Sequence, residues 1–269
     1  MADYRSDGGA HGEAEMLLLG GSMTEVVRVG DTVRRPVGRW TPAVHDLLRH
    51  LEDVGFDGAP RVLGFDDRGR EVLTYLPSDD SPRWSRAALE GAGRLVRRLH
   101  DALADFVPPS NAVWRHPSIG QHAAGGPIGH NDLQPANTVY ADGVPYGFID
   151  WDLAGPASPQ YDVALAAITF TPLHHGERFR PPGCPNAAER IARLRAFCDA
   201  YGVEDRLALL DAVERLQRED LREMREFGPR GISPYQKFFA GGEYRFVTWD
   251  HEWLLAHRGE LERALLDAG

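Results

Sequence analysis

The chain has 269 residues, of which 42% are hydrophobic and 26% are charged, and this composition is ordinary for a soluble globular protein. Its formal net charge of −10 argues against a nucleic-acid partner, since proteins that bind nucleic acid present basic surfaces. The sequence contains neither an apolar run of about 18 residues nor a secretory leader, so we expect a cytoplasmic protein with no membrane partner.

Five short apolar segments near the start of the chain, separated by turn residues, predict antiparallel strands. These segments cover residues 16–19, 25–29, 32–35, 61–65 and 71–75. Thr41 can cap a helix with Pro42 at its first position, and apolar residues then recur at helical spacing. Residues 15–77 are therefore predicted to form a small lobe of sheet and one helix. The preceding residues, 1–14, lack an apolar period and are expected to be a disordered leader.

The character of the chain changes after the polar, proline-containing stretch 76–82, which is typical of a connection between lobes. Ser85 is expected to cap a helix, and helical periodicity returns later in the chain. The later helical segments cover residues 161–170, 187–201, 205–227 and 251–266. We therefore predict an α+β, bilobal, protein-kinase-like fold. The small antiparallel-sheet lobe would bind nucleotide, and the larger, mainly helical lobe, 78–269, would carry the catalytic loop and the acceptor site.

The segment from His130 to Asn137 fits the kinase catalytic-loop pattern H-x-D-L-x-x-x-N at every fixed position. Phosphoryl transfer needs a carboxylate that accepts the proton of the acceptor hydroxyl, and an amide oxygen five residues later that can hold a magnesium ion. Asp132 and Asn137 have this spacing, so we predict that Asp132 is the catalytic base and that Asn137 binds the metal. His130 is expected to order the loop rather than to carry a proton.

A second carboxylate follows the catalytic loop at the end of an apolar strand, 146–149. A kinase presents its metal-binding aspartate at this place, so we predict that Asp150 binds Mg²⁺ and that Asp152 supports the site. Ordinary turns are the alternative interpretation, because Asp, Asn and Pro are common in loops. A metal-dependent phosphatase that uses Asp150 and Asp152 is another alternative. The order of catalytic-loop pattern, hairpin and carboxylate favours a kinase over both.

Three consecutive motifs carry a resemblance to a known family. They are Gly129-His130-Asn131-Asp132-Leu133-Gln134-Pro135-Ala136-Asn137, Gly147-Phe148-Ile149-Asp150-Trp151-Asp152 and Pro159-Gln160-Tyr161-Asp162-Val163-Ala164. With these motifs the chain resembles the aminoglycoside phosphotransferase and choline-kinase-like family, and a weaker likeness extends over residues 20–76. The resemblance implies a phosphotransferase with an alcohol group as acceptor, ATP or GTP as donor, Mg²⁺ as cofactor and a structural role for Asp162.

The acceptor is expected to be a small molecule. Only eleven residues separate Asp150 from Asp162, which leaves no room for the long activation loop on which protein kinases lay a peptide. The acidic excess over residues 199–269 is compatible with a cationic acceptor such as an aminoglycoside, although solvated helix faces are the more ordinary explanation. The expected partners are therefore a nucleoside triphosphate and a small acceptor, bound by a monomer or a homodimer.

The first lobe departs from the kinase pattern, because Lys237 is the only lysine of the chain. A kinase usually holds the phosphates with a third-strand lysine that is paired with a glutamate on the next helix. Arg34 is the predicted replacement for this lysine, with Arg35 as the alternative, although either arginine could equally lie on a solvated strand face. Val44 or His45 falls where the glutamate would be, so the usual ion pair is expected to be absent.

Two further segments of the first lobe are predicted to contact the nucleotide. The turn Gly20-Gly21-Ser22 can approach phosphate through its backbone N–H groups, although a turn with two glycines is more often only a turn. Tyr75 and Leu76 are predicted to form the hinge against which the purine base stacks. Because the usual lysine and glutamate are missing, a nucleotide-binding pseudokinase remains the alternative to an active enzyme.

Overall fold

The structure is a computed structural model, and it describes residues 15–18, 26–79, 84–115, 126–173, 187–232 and 235–266. The predicted leader, 1–14, and the glycine turn at residues 20–22 lie outside these ranges. Within the described ranges, no helix is both long enough and apolar enough to cross a membrane.

The first part of the chain forms a five-stranded antiparallel sheet with the strand order β1-β2-β3-β5-β4. The strands are β1 (Met16–Leu18), β2 (Val26–Val29), β3 (Thr32–Arg35), β4 (Val62–Phe65) and β5 (Glu71–Thr74). All five correspond to the predicted apolar segments. Successive side chains of a strand point to opposite faces, so Val33 and Arg35 share one face and Arg34 lies on the other.

One helix, α1 (Thr41–Asp53), belongs to this part of the fold, and it buries Leu47, Leu48 and Leu51 completely. The helix begins one residue earlier than its predicted cap implies. Trp40 occupies the cap position and makes no side-chain capping hydrogen bond, while Thr41 Oγ1 accepts from the Gly38 N–H at 2.9 Å. Such shifts of one residue are common at helix ends.

The remainder of the chain is mainly helical, and the predicted α+β architecture is confirmed. The helices are α2 (Arg86–Leu103), α3 (Pro159–Phe170), α4 (Ala187–Tyr201), α5 (Arg206–Phe227), α6 (Tyr235–Ala240) and α7 (Glu243–Leu266). Ser85 caps α2 as predicted, since its side chain accepts from the Ala88 N–H at 3.0 Å. Helix α6 was not predicted, and α7 begins eight residues before the predicted start at residue 251.

Two short pairs of strands bring the predicted site residues together. Strand β6 (Ile128–Gly129) pairs with β9 (Gly155–Pro156), and β7 (Thr138–Ala141) forms a hairpin with β8 (Val144–Phe148). The hairpin turn at Asp142 and Gly143 has positive φ at both residues, as two-residue turns of this kind require. The catalytic loop connects β6 to β7 and residues 149–154 connect β8 to β9, so these two loops lie side by side.

The connection between the sheet and the helical part is hydrogen-bonded to this hairpin. The Tyr140 N–H donates to Ser78 Oγ and the Asp79 N–H donates to the Tyr140 carbonyl, each at 3.0 Å. Tyr146 also donates its hydroxyl hydrogen to the Pro77 carbonyl. The predicted hinge is therefore fixed against the strands that support the catalytic loop.

Candidate active site

Asp162 holds the start of the catalytic loop through two backbone hydrogen bonds. Its side chain on α3 is fully buried, and its two oxygens accept from the N–H groups of His130 at 2.8 Å and Asn131 at 2.7 Å. Close packing also explains Gly129, where a Cβ atom would come within 2.7 Å of Asp162 Oδ2. Both oxygens of Asp162 are therefore bonded to the backbone of the catalytic loop.

His130 links the catalytic loop to the loop that carries Asp150. The side chain is fully buried, its Nε2 lies 3.2 Å from the Ile149 carbonyl, and its Nδ1 accepts from the Asp132 N–H at 3.3 Å. Because a carbonyl oxygen can only accept, Nε2 carries the proton and Nδ1 is free to accept. Both ring nitrogens are therefore hydrogen-bonded to the backbone, one to each of the two loops.

The Asp132 carboxylate is held in place by two amide donors. Asn137 Nδ2 donates to Oδ2 at 2.6 Å, and Gln134 Nε2 donates to Oδ1 at 2.7 Å. Burial raises the pKa of this carboxyl above the ordinary aspartate value, even though both amides act in the opposite direction. A carboxylate with a raised pKa is a better proton acceptor near neutral pH, which suits a general base.

A backbone hydrogen bond connects Asn137 to the residue before Asp150. The Ile149 N–H donates to the Asn137 carbonyl at 2.9 Å, which places the residue before Asp150 beside the end of the catalytic loop. The Asp150 charge also contributes to the raised pKa of Asp132, so the two carboxylates interact. Asp150 has a left-handed backbone conformation with φ of 61° and ψ of 66°. A non-glycine residue in this conformation is uncommon and is often found at functional sites.

Arg35, the alternative to Arg34, is the arginine that faces Asp150. Its Nη2 lies 3.2 Å from Asp150 Oδ1 and 2.9 Å from Asp152 Oδ1. Arg34 extends from the opposite face of β3, where its Nε lies 3.9 Å from Asp66 Oδ2. The preference for Arg34 is therefore not supported by the geometry, because adjacent residues of a strand point to opposite sides of the sheet.

Asp152 connects the sheet lobe to the helical lobe. In addition to Arg35, it accepts from Trp40 Nε1 at 3.2 Å and from Arg115 Nη1 at 2.7 Å, and the Arg115 guanidinium lies 4.6 Å from the centre of the Trp40 ring. Burial raises the pKa of Asp152, while Arg35 acts in the opposite direction. These contacts fit the supporting role predicted for Asp152, since its oxygens are already occupied.

The predicted hinge residues, Tyr75 and Leu76, lie at the end of β5, and both are partly buried. The Arg28 guanidinium covers the Tyr75 ring at 3.9 Å from its centre, and the Tyr75 N–H donates to the Asp31 carbonyl at 2.8 Å. Gly20, Gly21 and Ser22 lie outside the described residues.

Sequence reasoning missed the buried partners of Arg35. Glu71 lies opposite Arg35 in the β3–β5 register, with Glu71 Oε1 at 3.7 Å from Arg35 Nε and Glu71 Oε2 at 2.8 Å from His45 Nε2. Burial by itself lowers the pKa of Arg35, but Asp152, Asp150 and Glu71 together raise it above the usual arginine value. A glutamate at the first position of a predicted strand, where an apolar residue is usual, was the available signal.

The fold and the site together define a kinase-like phosphotransferase. Residues 18–227 match the model of the phosphotransferase enzyme family APH. The chain belongs to this family.

Comparison with individual proteins agrees with this assignment. The chain is 34% identical over 265 residues to the trifolitoxin immunity protein of Rhizobium leguminosarum bv. trifolii, covering 93% of this chain and 98% of that protein. Its fold is similar to that of the GDP complex of wild-type aminoglycoside 2′-phosphotransferase-IIIa, with a TM-score of 0.58, 14% identity and coverage of 94% of each chain. It is also similar to the amicoumacin kinase hAmiN in complex with AMP-PNP, Ca²⁺ and Ami, with a TM-score of 0.60, 13% identity and coverage of 88% of each chain.

Proposed function

We propose that this chain transfers the γ-phosphoryl group of ATP or GTP to a hydroxyl group of a small-molecule acceptor. The observation that carries the proposal is the Asp132 carboxylate, which is fixed by Asn137 and Gln134 and lies beside the loop of Asp150. In the proposed reaction, a bond forms between the acceptor oxygen and the γ-phosphorus, and the bond from that phosphorus to the nucleoside diphosphate breaks. The acceptor proton passes to Asp132.

Asn137 and Asp150 have the chemistry to hold Mg²⁺. The Asn137 amide nitrogen donates to Asp132, so its oxygen remains for a cation, and the Asp150 side chain is 45% exposed. Among the described residues, no group of three or more His, Cys, Asp or Glu side chains could hold a metal ion. A site with few protein ligands suits Mg²⁺, which usually completes its shell with phosphate and water, and which would neutralise charge on the transferred group.

Arg35 is the proposed cation for the nucleotide phosphates. Its Nη2 is already within 3.2 Å of Asp150, so a phosphate that shares a cation with Asp150 would lie close to the guanidinium. A guanidinium can bind phosphate through two parallel hydrogen bonds, which an ammonium cannot do. Gly20, Gly21, Ser22, Tyr75 and Leu76 are proposed to complete the nucleotide site, and His130, Asp152 and Asp162 to support it.

The acceptor is proposed to be an antibiotic or a toxin with a free hydroxyl group. Helix α3 begins at Pro159, nine residues after Asp150, and this short connection supports a small acceptor over a protein. One relative is named for immunity to trifolitoxin, and this name supports an acceptor against which a cell is protected. A kinase with a similar fold is named for amicoumacin, and this name supports the same class of acceptor.

A screen of nucleotide consumption tests the proposal. Purified protein would be incubated with Mg²⁺, ATP or GTP and a panel of aminoglycosides, other hydroxyl compounds and trifolitoxin, and the product would be identified by a mass gain of one phosphoryl group. We expect at least one compound to stimulate consumption. Absence of both stimulated consumption and Mg²⁺-dependent nucleotide binding would refute the proposal.

The alternative is a nucleotide-binding pseudokinase that protects by binding its ligand rather than by modifying it. Expression of the wild type and of Asp132→Asn in a strain sensitive to the identified compound separates the two functions. An enzyme loses protection with Asp132→Asn, whereas a protein that only binds the compound retains it. Nucleotide affinity is expected to be preserved in this variant in either case.

A further inference from the structure

Two buried carboxylates lie beside Arg35, and each is hydrogen-bonded to a side chain of helix α1 or of its cap position. The Glu71 side chain is 5% exposed and the Asp152 side chain 11%, whereas Asp150, the third partner of Arg35, is 45% exposed. The Glu71 and Asp152 carboxylates are therefore shielded from solvent beside Arg35, whereas that of Asp150 is accessible. Residues of α1 reach both of them, through His45 to Glu71 and through Trp40, at the cap position, to Asp152.

Glu71 holds Arg35 by charge rather than by a fixed hydrogen bond. Arg35 Nε lies 3.7 Å from Glu71 Oε1 and has no hydrogen-bond partner among the described residues. The short contact of Glu71 is to His45 at 2.8 Å, and because a carboxylate only accepts, His45 Nε2 must donate. Glu71 therefore does not occupy the Nε–H of Arg35, as a bidentate ion pair would.

Resting on the proposed function, we infer that helix α1 positions Arg35 for the nucleotide phosphates through His45 and Glu71. Trp40 and Asp152 form a second connection. In this arrangement the glutamate belongs to β5 rather than to the helix, and His45 on the helix is hydrogen-bonded to it. His45 and Glu71 are thus positioning residues and make no contact with the reacting atoms.

Substitution of His45 tests this inference. His45→Met removes the donor to Glu71, while His45→Gln keeps an N–H close to the position of Nε2. Hydrogen-bonded partners of metal ligands commonly contribute tenfold to a hundredfold, and by analogy we expect His45→Met to weaken Mg²⁺-nucleotide binding by about tenfold. We expect His45→Gln to restore most of this loss. Glu71→Gln should weaken binding similarly, and the double variant His45→Met/Glu71→Gln no further, because both residues act through one connection.

His50→Met is the matched control. His50 lies on the same helix, and its Nε2 is 2.9 Å from the Ala102 carbonyl, so its removal also costs one hydrogen bond but has no connection to Arg35. Binding would be measured by calorimetry with ATP and GTP, normalised to folded protein from circular dichroism. If His45→Met does not fold, the nucleotide affinities of His45→Gln and Glu71→Gln are compared instead, and only Glu71→Gln should bind more weakly than the wild type. Unchanged nucleotide affinity in Glu71→Gln, or equal losses in His45→Met and His50→Met, would overturn the inference. A wild type that binds no nucleotide would instead refute the proposed function.

Discussion

Replacement of Asp132 by asparagine removes the proposed base with almost no change of shape. A positioned general base commonly contributes about 10²- to 10⁴-fold to the rate. We therefore expect kcat to fall by this factor, which corresponds to about 3 to 5 kcal/mol of activation free energy. Nucleotide affinity should change little, because Asn137, Asp150 and Arg35 are retained.

The same substitution is expected to change stability through two contributions of opposite sign. Burial raises the pKa of Asp132, so the folded chain binds this proton more tightly than the unfolded chain. The ionised carboxylate therefore lowers stability at neutral pH, and this loss shrinks as the pH falls below the raised pKa and is gone below the ordinary aspartate pKa of the unfolded chain. Asparagine removes the charge, but its single oxygen can accept from only one of Asn137 and Gln134, which costs about 1 kcal/mol.

The assay compares wild type, Asp132→Asn and the control Asp142→Asn. Asp142 has φ of 51° in the β7–β8 turn, which asparagine also tolerates, so this control makes the same chemical change outside the site. Acceptor-stimulated nucleotide consumption, nucleotide affinity and the free energy of unfolding in urea would be measured for each. A kcat of Asp132→Asn within tenfold of the wild type would refute the assignment of Asp132 as the base.

Three further predictions concern Arg35, Asp162 and the pH dependence set by Asp132. Arg35→Lys should raise the nucleotide KM by at least about tenfold in steady-state kinetics, since a hydrogen bond to a charged group contributes about 1.5–3 kcal/mol. The control Arg34→Lys should have little effect on this KM. Asp162→Asn should lower the free energy of unfolding in urea by about 1–3 kcal/mol, because one of the two buried N–H groups loses its acceptor. The acidic limb of the pH profile of kcat should lie above the ordinary aspartate range and should be absent from any residual activity of Asp132→Asn, because burial raises the pKa of Asp132.

The helical lobe and the catalytic loop could be predicted because their signals are local. The fixed positions of the catalytic-loop pattern and the Asp142-Gly143 turn depend only on neighbouring residues, and Ser85 precedes an obvious apolar period. Helix α6 gave no such signal, since it is only six residues long and none of its residues is buried. A helix of fewer than two turns without an apolar face has no period that could be recognised.

The choice between Arg34 and Arg35 could not be made from local signals. The two residues are adjacent, and a shift of one residue in the phase of β3 exchanges which of them lies on the side of Asp150. The β3–β5 register determines this phase, and it also brings Glu71 opposite Arg35 from a strand more than thirty residues later. The carboxylate beside Arg35 belongs to β5 rather than to helix α1, where His45 contacts it, and the kinase pattern does not indicate such a position.

The contacts of Arg35 also predict that Mg²⁺ and nucleotide bind with positive coupling. Asp150 is the most exposed of the three carboxylates around Arg35, and it is also the proposed metal ligand. When Asp150 turns to a cation, Arg35 loses one anionic partner and becomes available to phosphate. Addition of Mg²⁺ should therefore strengthen nucleotide binding in the wild type more than in Asp150→Asn, with Asp142→Asn again as the control. Calorimetry over a range of Mg²⁺ concentrations measures this coupling, and an equal Mg²⁺ dependence in wild type and Asp150→Asn would contradict the partner exchange at Arg35.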